Sequence, residues 1–138
     1  MNIDSIQNGV VIDHITAGRG MKLYDLLGLD KLDCSVAIIK NVNSGKMGKK
    51  DIIKIDADIN VNLDVIGYVD PGATVNIIHG GELTEKRAIE MPETLTNVIK
   101  CKNPRCITTV EQELDHVFKL TDKAEKVYRC IYCETKAK

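Results

Sequence analysis

Four of the five cysteines fall in two close pairs near the end of the 138-residue chain: Cys101-Lys-Asn-Pro-Arg-Cys106, then 23 residues, then Cys130-Ile-Tyr-Cys133. Two readings fit such pairs. In an oxidising compartment they are two disulfides; in a reducing one they suit a tetrahedral metal site, with a redox dithiol as the remaining alternative. Each pair can span one edge of a tetrahedron, with thiolates about 2.3 Å from zinc. Asn103-Pro104 and Ile131-Tyr132 then form the ligand-bearing turns. Zinc is the favoured ion, and iron is the alternative that a four-thiolate set also admits. Four thiolates on a divalent ion leave a net charge of −2. Lys100, Lys102, Arg105 and Arg129 stand beside the ligands in sequence and could offset it, or could be ordinary solvated charges. A site closed by four protein sulfurs leaves no position for water or substrate, so its expected role is structural.

A second, looser set of chemical groups lies earlier. Asp13 interrupts an apolar stretch, with His14 beside it. Period-2 alternation puts Lys50, Ile52 and Lys54 on one face of a strand and Thr74, Asn76 and Ile78 on one face of another. Lys49, Lys50, Lys54, Lys86 and Arg87 supply five of the ten basic groups in the first 97 residues. If the strands meet, the lysines and Asn76 converge near Asp13 and His14. Lysines then serve as point charges for phosphate and the carboxylate serves ribose hydroxyls. Each residue also has a plain alternative: lysines as a solvated strand edge, His14 as a satisfied structural histidine, Asn76 as a turn-stabilising amide. Gly18-x-Gly20 is too short for a dinucleotide fingerprint, and no Walker lysine motif occurs.

These groups need elements to hold them. VVIDHI (10–15) reads as a strand, and Met21, Leu23, Tyr24, Leu26 and Leu27 as a helix closed by Gly28. SVAIIKNV (35–42) and DIIKID (51–56) read as strands joined through NSGKMGKK (43–50), and residues 58–66 as a short helix. ATVNIIH (73–79) and ELTEKRAI (82–89) read as two more strands about Gly80-Gly81. Strand, helix, strand, strand, helix, strand is the ferredoxin-like split βαβ order. It is an α+β fold with an antiparallel sheet, helices on one face and the other face open. The last forty residues hold only a thin apolar set: Val110, Leu114, Val117, Phe118, Leu120 and Val127. Zinc is therefore expected to supply much of that small β domain's folding free energy, on the order of 10 kcal/mol.

Composition bounds the whole. Hydrophobic residues make 43% of the chain and charged residues 28%, enough for a buried core. A net charge of −1 removes the strong positive field that nonspecific nucleic-acid binding rests on. Aromatics at 4%, with no Trp, argue against base-stacking platforms. No apolar run suits a membrane span and MNIDSIQNGVV has no export-signal pattern, so a cytoplasmic chain without membrane or nucleic-acid partners is expected. Residues 1–97 hold 10 basic and 14 acidic groups, and residues 98–138 hold 9 and 6. That shift, and the cysteine bias, predict two domains, 1–97 and 98–138.

The motifs GVVIDHI (9–15), SGKMGKKDIIKI (44–55), ATVNII (73–78) and the cysteines at 101, 106, 130 and 133 resemble, in order and spacing, the regulatory chain of aspartate carbamoyltransferase. The resemblance covers nearly the whole chain. It implies a non-catalytic allosteric subunit of pyrimidine biosynthesis, with an N-terminal nucleotide-binding domain that forms regulatory dimers. It also implies a C-terminal zinc domain that docks on the catalytic chain. CTP and ATP are the implied effectors. By motif, Asp13 and Lys54 resemble ribose contacts, His14 and Lys86 phosphate contacts, Asn76 a pocket residue and Lys50 a residue nearer the rim. Ile3, Asp4 and Ile6 fall where the family's N-terminal segment lines the pocket. The four cysteines carry over as ligands of one structural Zn²⁺. Gly81 stands where the family has a tyrosine near the base, Ala88 stands where an arginine can occur, and the chain runs five residues past Cys133, against a longer tail in some members. Two other classes compete: a zinc-ribbon nucleic-acid-binding module, and a thiol redox enzyme built on Cys130-x-x-Cys133.

Overall fold

The computed structural model describes residues 6–45 and 48–137; Ile3 and Asp4, expected near the pocket, and Lys46 and Met47 of the hairpin motif lie outside them. The chain divides between Glu90 and Met91 into two compact units. The expected 97/98 boundary lies further along, because Thr94–Thr96 is already a strand of the second unit's sheet.

The first unit runs β1 (Gly9–Thr16), α1 (Gly20–Leu26), a 3-10 turn (Leu29–Lys31), β2 (Val36–Ser44), β3 (Gly48–Ile55), α2 (Leu63–Val69), β4 (Thr74–His79) and β5 (Glu82–Ala88). Its sheet is antiparallel in the order β2-β3-β1-β4-β5. This is the split βαβ arrangement with β5 added at one edge. Alternation sorts the two faces. Val10, Ile12 and Ile15 of β1, Ile53 and Ile55 of β3 and Val75 of β4 are buried, as are Leu23 of α1 and Val65, Ile66 and Val69 of α2. The alternate positions of the same strands, Val11, Asp13, Ile52, Lys54, Asn76 and Ile78, form the opposite, open face.

The second helix departs from expectation. It spans Leu63–Val69 rather than 58–66. Asn62 caps it, accepting the Asp64 N–H at 3.0 Å, so the helix cannot start until that turn is made. Gly28, at φ 67°, follows α1 in the left-handed region where glycine is favoured.

Two buried carboxylates fasten the loops beneath the sheet. Asp51, fully buried, accepts the N–H groups of Gly18 and Gly20 on Oδ2 and of Asn41 on Oδ1, each at 3.0 Å. It thus caps the start of α1, where the Arg19 side chain makes no capping bond and the N-terminal dipole favours a carboxylate. A Cβ at Gly20 would come within 2.9 Å of Asp51 Oδ2, which explains the glycine. Asp70 likewise accepts from Thr16 and Gly72.

The second unit holds β6 (Thr94–Thr96), α3 (Ile107–Val110), β7 (Val117–Asp122) and β8 (Val127–Cys130). Its three strands are antiparallel in the order β6-β7-β8. Leu95, Phe118 and Tyr128 are buried, and the Tyr128 hydroxyl donates to the Pro92 carbonyl at 2.6 Å. Leu95 and Tyr128 were absent from the expected apolar set, whereas Val110, which belonged to it, is 67% exposed.

Asp51→Ala leaves three N–H groups without their acceptor, that of Gly20 buried and those of Gly18 and Asn41 part-buried. It should lower the urea-unfolding free energy of the chain's first unit by about 3 kcal/mol; an unchanged unfolding midpoint would contradict the fastening role.

Candidate functional site

The four paired cysteines come together in the second unit. Their sulfurs all lie within 4.8 Å of one another. Cys101 and Cys133 sulfurs stand 3.5 Å apart, and those of Cys106 and Cys130 stand 3.6 Å apart. A disulfide needs about 2.0 Å, whereas sulfurs bound at about 2.3 Å to one tetrahedral ion sit about 3.8 Å apart. The donor set fits a tetrahedral metal. The close sulfur pairs are 101–133 and 106–130, so each contact joins one turn to the other.

Local backbone explains the convergence. Asn103 makes the first turn: its carbonyl accepts the Cys106 N–H at 3.1 Å and its side chain accepts the Arg105 N–H at 3.0 Å. Cys106 then starts α3. In the second turn the Cys130 carbonyl accepts the Glu134 N–H at 2.9 Å, with Glu134 at φ 63°. Backbone N–H groups face each sulfur: Asn103 on Cys101, Thr108 on Cys106, Cys133 and Tyr132 on Cys130, and Thr135 on Cys133, at i+2 in every case and at i+3 as well on Cys130. Thr108 and Thr135 hydroxyls add contacts at 3.1 Å to Cys106 and Cys133. The Thr135 hydroxyl draws the Cys133 thiol down to about 6, while burial pushes Cys101 up to about 12. His116 accepts the Cys101 N–H on Nδ1 at 3.1 Å. Lys100, Lys102, Arg105 and Arg129, by contrast, are exposed. The polarity around the sulfurs comes from N–H groups and two threonines that residue-type reasoning passed over; the i+2 spacing was the available signal.

The outer side of the two turns is apolar. Ile107 and Val110 follow Cys106, Ile131 and Tyr132 separate Cys130 from Cys133, and all four are about half exposed or more. A hollow of about 580 Å³ adjoins Cys101, edged by Asn97, Lys100, Gln112 and His116.

In the first unit the open sheet face carries a cavity of about 390 Å³, lined by Ile6, Asp13, Lys54, Asn76, Gly81 and Leu83 among others. Strand register lays out its floor. Lys54 pairs with Val11, Val11 with Asn76, and Asn76 with Lys86, so the three polar groups share one row across β3, β1, β4 and β5. Asn76 Oδ1 is buried and has no hydrogen-bond partner among the described residues.

Asp13 and His14 occupy a bulge in β1. Ile12 pairs with Ile53 and Ile15 with Asp51, so β1 carries one extra residue. His14 absorbs it at φ 58°, a conformation that costs of order 1 kcal/mol. Its N–H donates to Asp13 Oδ1 at 2.6 Å, and its ring Nδ1 lies 3.0 Å from Thr74 Oγ1. Lys50 Nζ binds Asp13 Oδ1 at 3.0 Å. Burial alone would raise the Asp13 carboxyl, but the Lys50 ammonium and the His14 N–H outweigh it and hold the group below its usual range.

Of the expected pocket residues, Asp13, Lys54, Asn76 and Ile6 line the cavity, and Lys86 stands beside Asn76 at its exposed edge. His14 and Lys50 are adjacent but outside the lining. Lys49 and Arg87 do not join the set: Lys49 donates to Asn43 Oδ1 at 2.6 Å, and Arg87 pairs with Glu85 from the register position opposite buried Val75. Gly81, at φ 80°, donates its N–H to the Gln7 carbonyl at 2.9 Å, and the Gln7 side-chain amide stands 3.3 Å from where a Cβ would be. A residue-81 side chain is thus replaced by Gln7.

Among the described residues no helix is long and apolar enough to cross a membrane. Comparison with known proteins gives a match along nearly the whole chain. A family model for the aspartate carbamoyltransferase regulatory chain, allosteric domain, matches residues 1–90, and one for the same chain's metal binding domain matches residues 93–138. The aspartate carbamoyltransferase regulatory chain of Clostridium botulinum (strain Hall) is 48% identical over 134 residues, covering 97% of this chain and 92% of that one. The corresponding chain of Clostridium tetani is 47% identical over 135 residues, covering 97% and 94%. That of Bifidobacterium longum is 43% identical over 138 residues, covering 100% and 99%. The chain therefore belongs to the family of aspartate carbamoyltransferase regulatory chains, a regulatory and not a catalytic subunit with an allosteric domain ahead of a metal-binding one.

Proposed function

We propose that the open sheet face binds a nucleotide effector of the CTP or ATP type, and that the cysteine cluster holds one structural Zn²⁺ through which the second unit docks on the catalytic chain. The observation that carries the first part is the row Lys54–Val11–Asn76–Lys86 under a cavity of about 390 Å³, within the small-ligand range of about 300–1,000 Å³. Asp13 and Lys54 serve the ribose, and His14 and Lys86 serve the phosphates. The buried, unpartnered Asn76 Oδ1 needs a donor that the ligand can bring. The backbone at Gly81 and Ile6 borders the base.

Zinc suits four thiolates, needs no redox partner and closes the site against substrate. Its chemistry there is cohesive: it holds two turns whose outward residues, Ile107, Val110, Ile131 and Tyr132, form an apolar face for the catalytic chain. The β2 edge, VAIIKNVNS, is far less charged than the β5 edge and suits pairing of two chains into a regulatory dimer. Cysteines held as metal thiolates, not as disulfides, suit a reducing, cytoplasmic setting. The family match through both units favours this role over a nucleic-acid-binding zinc module or a dithiol enzyme.

An effector controls the complex only through its differential affinity for two states of the assembly, worth about 1–3 kcal/mol. In the reconstituted complex, CTP or ATP should shift the aspartate saturation curve, and Lys54→Ala should raise the effector concentration needed by about tenfold. A saturation curve indifferent to both nucleotides would contradict the effector role. Stripping the metal should free catalytic subunits that turn over without any nucleotide response; a metal-free complex that stays assembled and responsive would contradict the docking role of zinc.

A further inference from the structure

Lys50 stands beside the pocket with its ammonium committed to Asp13. It reaches diagonally from β3, where it pairs with Thr16, to Asp13 Oδ1 at 3.0 Å. The two side chains are only 16% and 21% exposed, so solvent screens this pair less than an ordinary surface one. The bulge delivers the second bond: His14, turned to φ 58°, aims its N–H at the same oxygen. Neither bond uses Oδ2. Lys50 does not line the cavity, whereas Asp13 and Lys54 do.

We propose that Lys50 is a positioning residue and not a phosphate contact: it is the resident counterion of Asp13, fixing Oδ1 so that Oδ2 is presented to a vicinal diol on the ligand. This rests on the nucleotide-binding role proposed above. A carboxylate that accepts two hydroxyls must be charged and held in one rotamer, although part-buried. Lys50 and the His14 N–H supply both conditions from the protein side, and Lys54 faces the same cavity from the same strand. The pocket then selects for the sugar hydroxyls at the Lys50 end, independently of how many phosphates the ligand carries.

The test is calorimetric titration of the full metal-loaded chain with CTP, CMP and 2′,3′-dideoxy-CTP. Lys50→Met should weaken CTP and CMP by the same factor, about tenfold for one charge-assisted hydrogen bond, and leave dideoxy-CTP unchanged. Lys50→Arg should recover most of the loss. In an Asp13→Asn background, Lys50→Met should cost nothing further. A loss that grows with phosphate number and persists for dideoxy-CTP makes Lys50 a phosphate contact and overturns the inference, as does unchanged binding of all three ligands. If the unaltered chain binds none of them, the nucleotide-binding role fails too, a result separable from the first because it appears before any substitution.

Discussion

Four sulfurs within 4.8 Å of one another constrain everything after residue 91. As thiolates they repel, and as thiols they are poor hydrogen-bonding partners for a buried site. A divalent ion between them would turn both problems into cohesion. The rest of the second unit is too slight to hold its own shape: three short strands, a four-residue helix and a buried set led by Leu95, Phe118 and Tyr128. The cluster ties the turn after β6 to the turn after β8, across the only sheet described there, and sets the outward pitch of Ile107, Val110, Ile131 and Tyr132.

The first unit solves a different problem. Its sheet is covered by helices on one face, so Ile12, Ile53, Ile55 and Val75 provide the core and no ion is needed. The cost is an open face, and the strands place polar groups there in register. Buried Asp51 and Asp70 matter because they fix the loops at the ends of β1 and the start of α1 without exposing backbone N–H groups. With those loops fixed, the single extra residue of the β1 bulge can turn Asp13 and His14 outward while Val10, Ile12 and Ile15 stay in the core. The polar groups of the open face and the packing of the core are therefore served by neighbouring residues of one strand.

Much of this was legible from residue order. Five strands and α1 follow from β-branched runs and glycine stops, and the cysteine spacing pointed to their convergence. Period-2 alternation put Lys50, Ile52 and Lys54 on the face opposite Ile53 and Ile55, as observed. What sequence could not supply was long-range partnership. Asp51 looked like one more acidic strand residue, yet its three partners come from residues 18, 20 and 41. Alternation alone put Lys50 and Lys54 on one face of the strand, whereas one extra residue in β1 gives Lys50 to Asp13 and Lys54 lines the cavity. The second helix shifted because Asn62, a poor helix former, is a good cap. Val110 was counted as core by its type, although α3 ends there and turns it outward.

The central claim is that a thiolate-bound ion assembles the second unit while the first folds on its own core. Metal analysis of the purified chain, paired with amide NMR spectra before and after chelation, tests it most directly. The predicted result is one zinc per chain, with chelation collapsing the signals of Phe118, Tyr128 and their β-sheet neighbours while those of β1, β3 and β4 stay dispersed. A metal-free chain whose Phe118 and Tyr128 signals are already dispersed, and do not change with chelator, would contradict it.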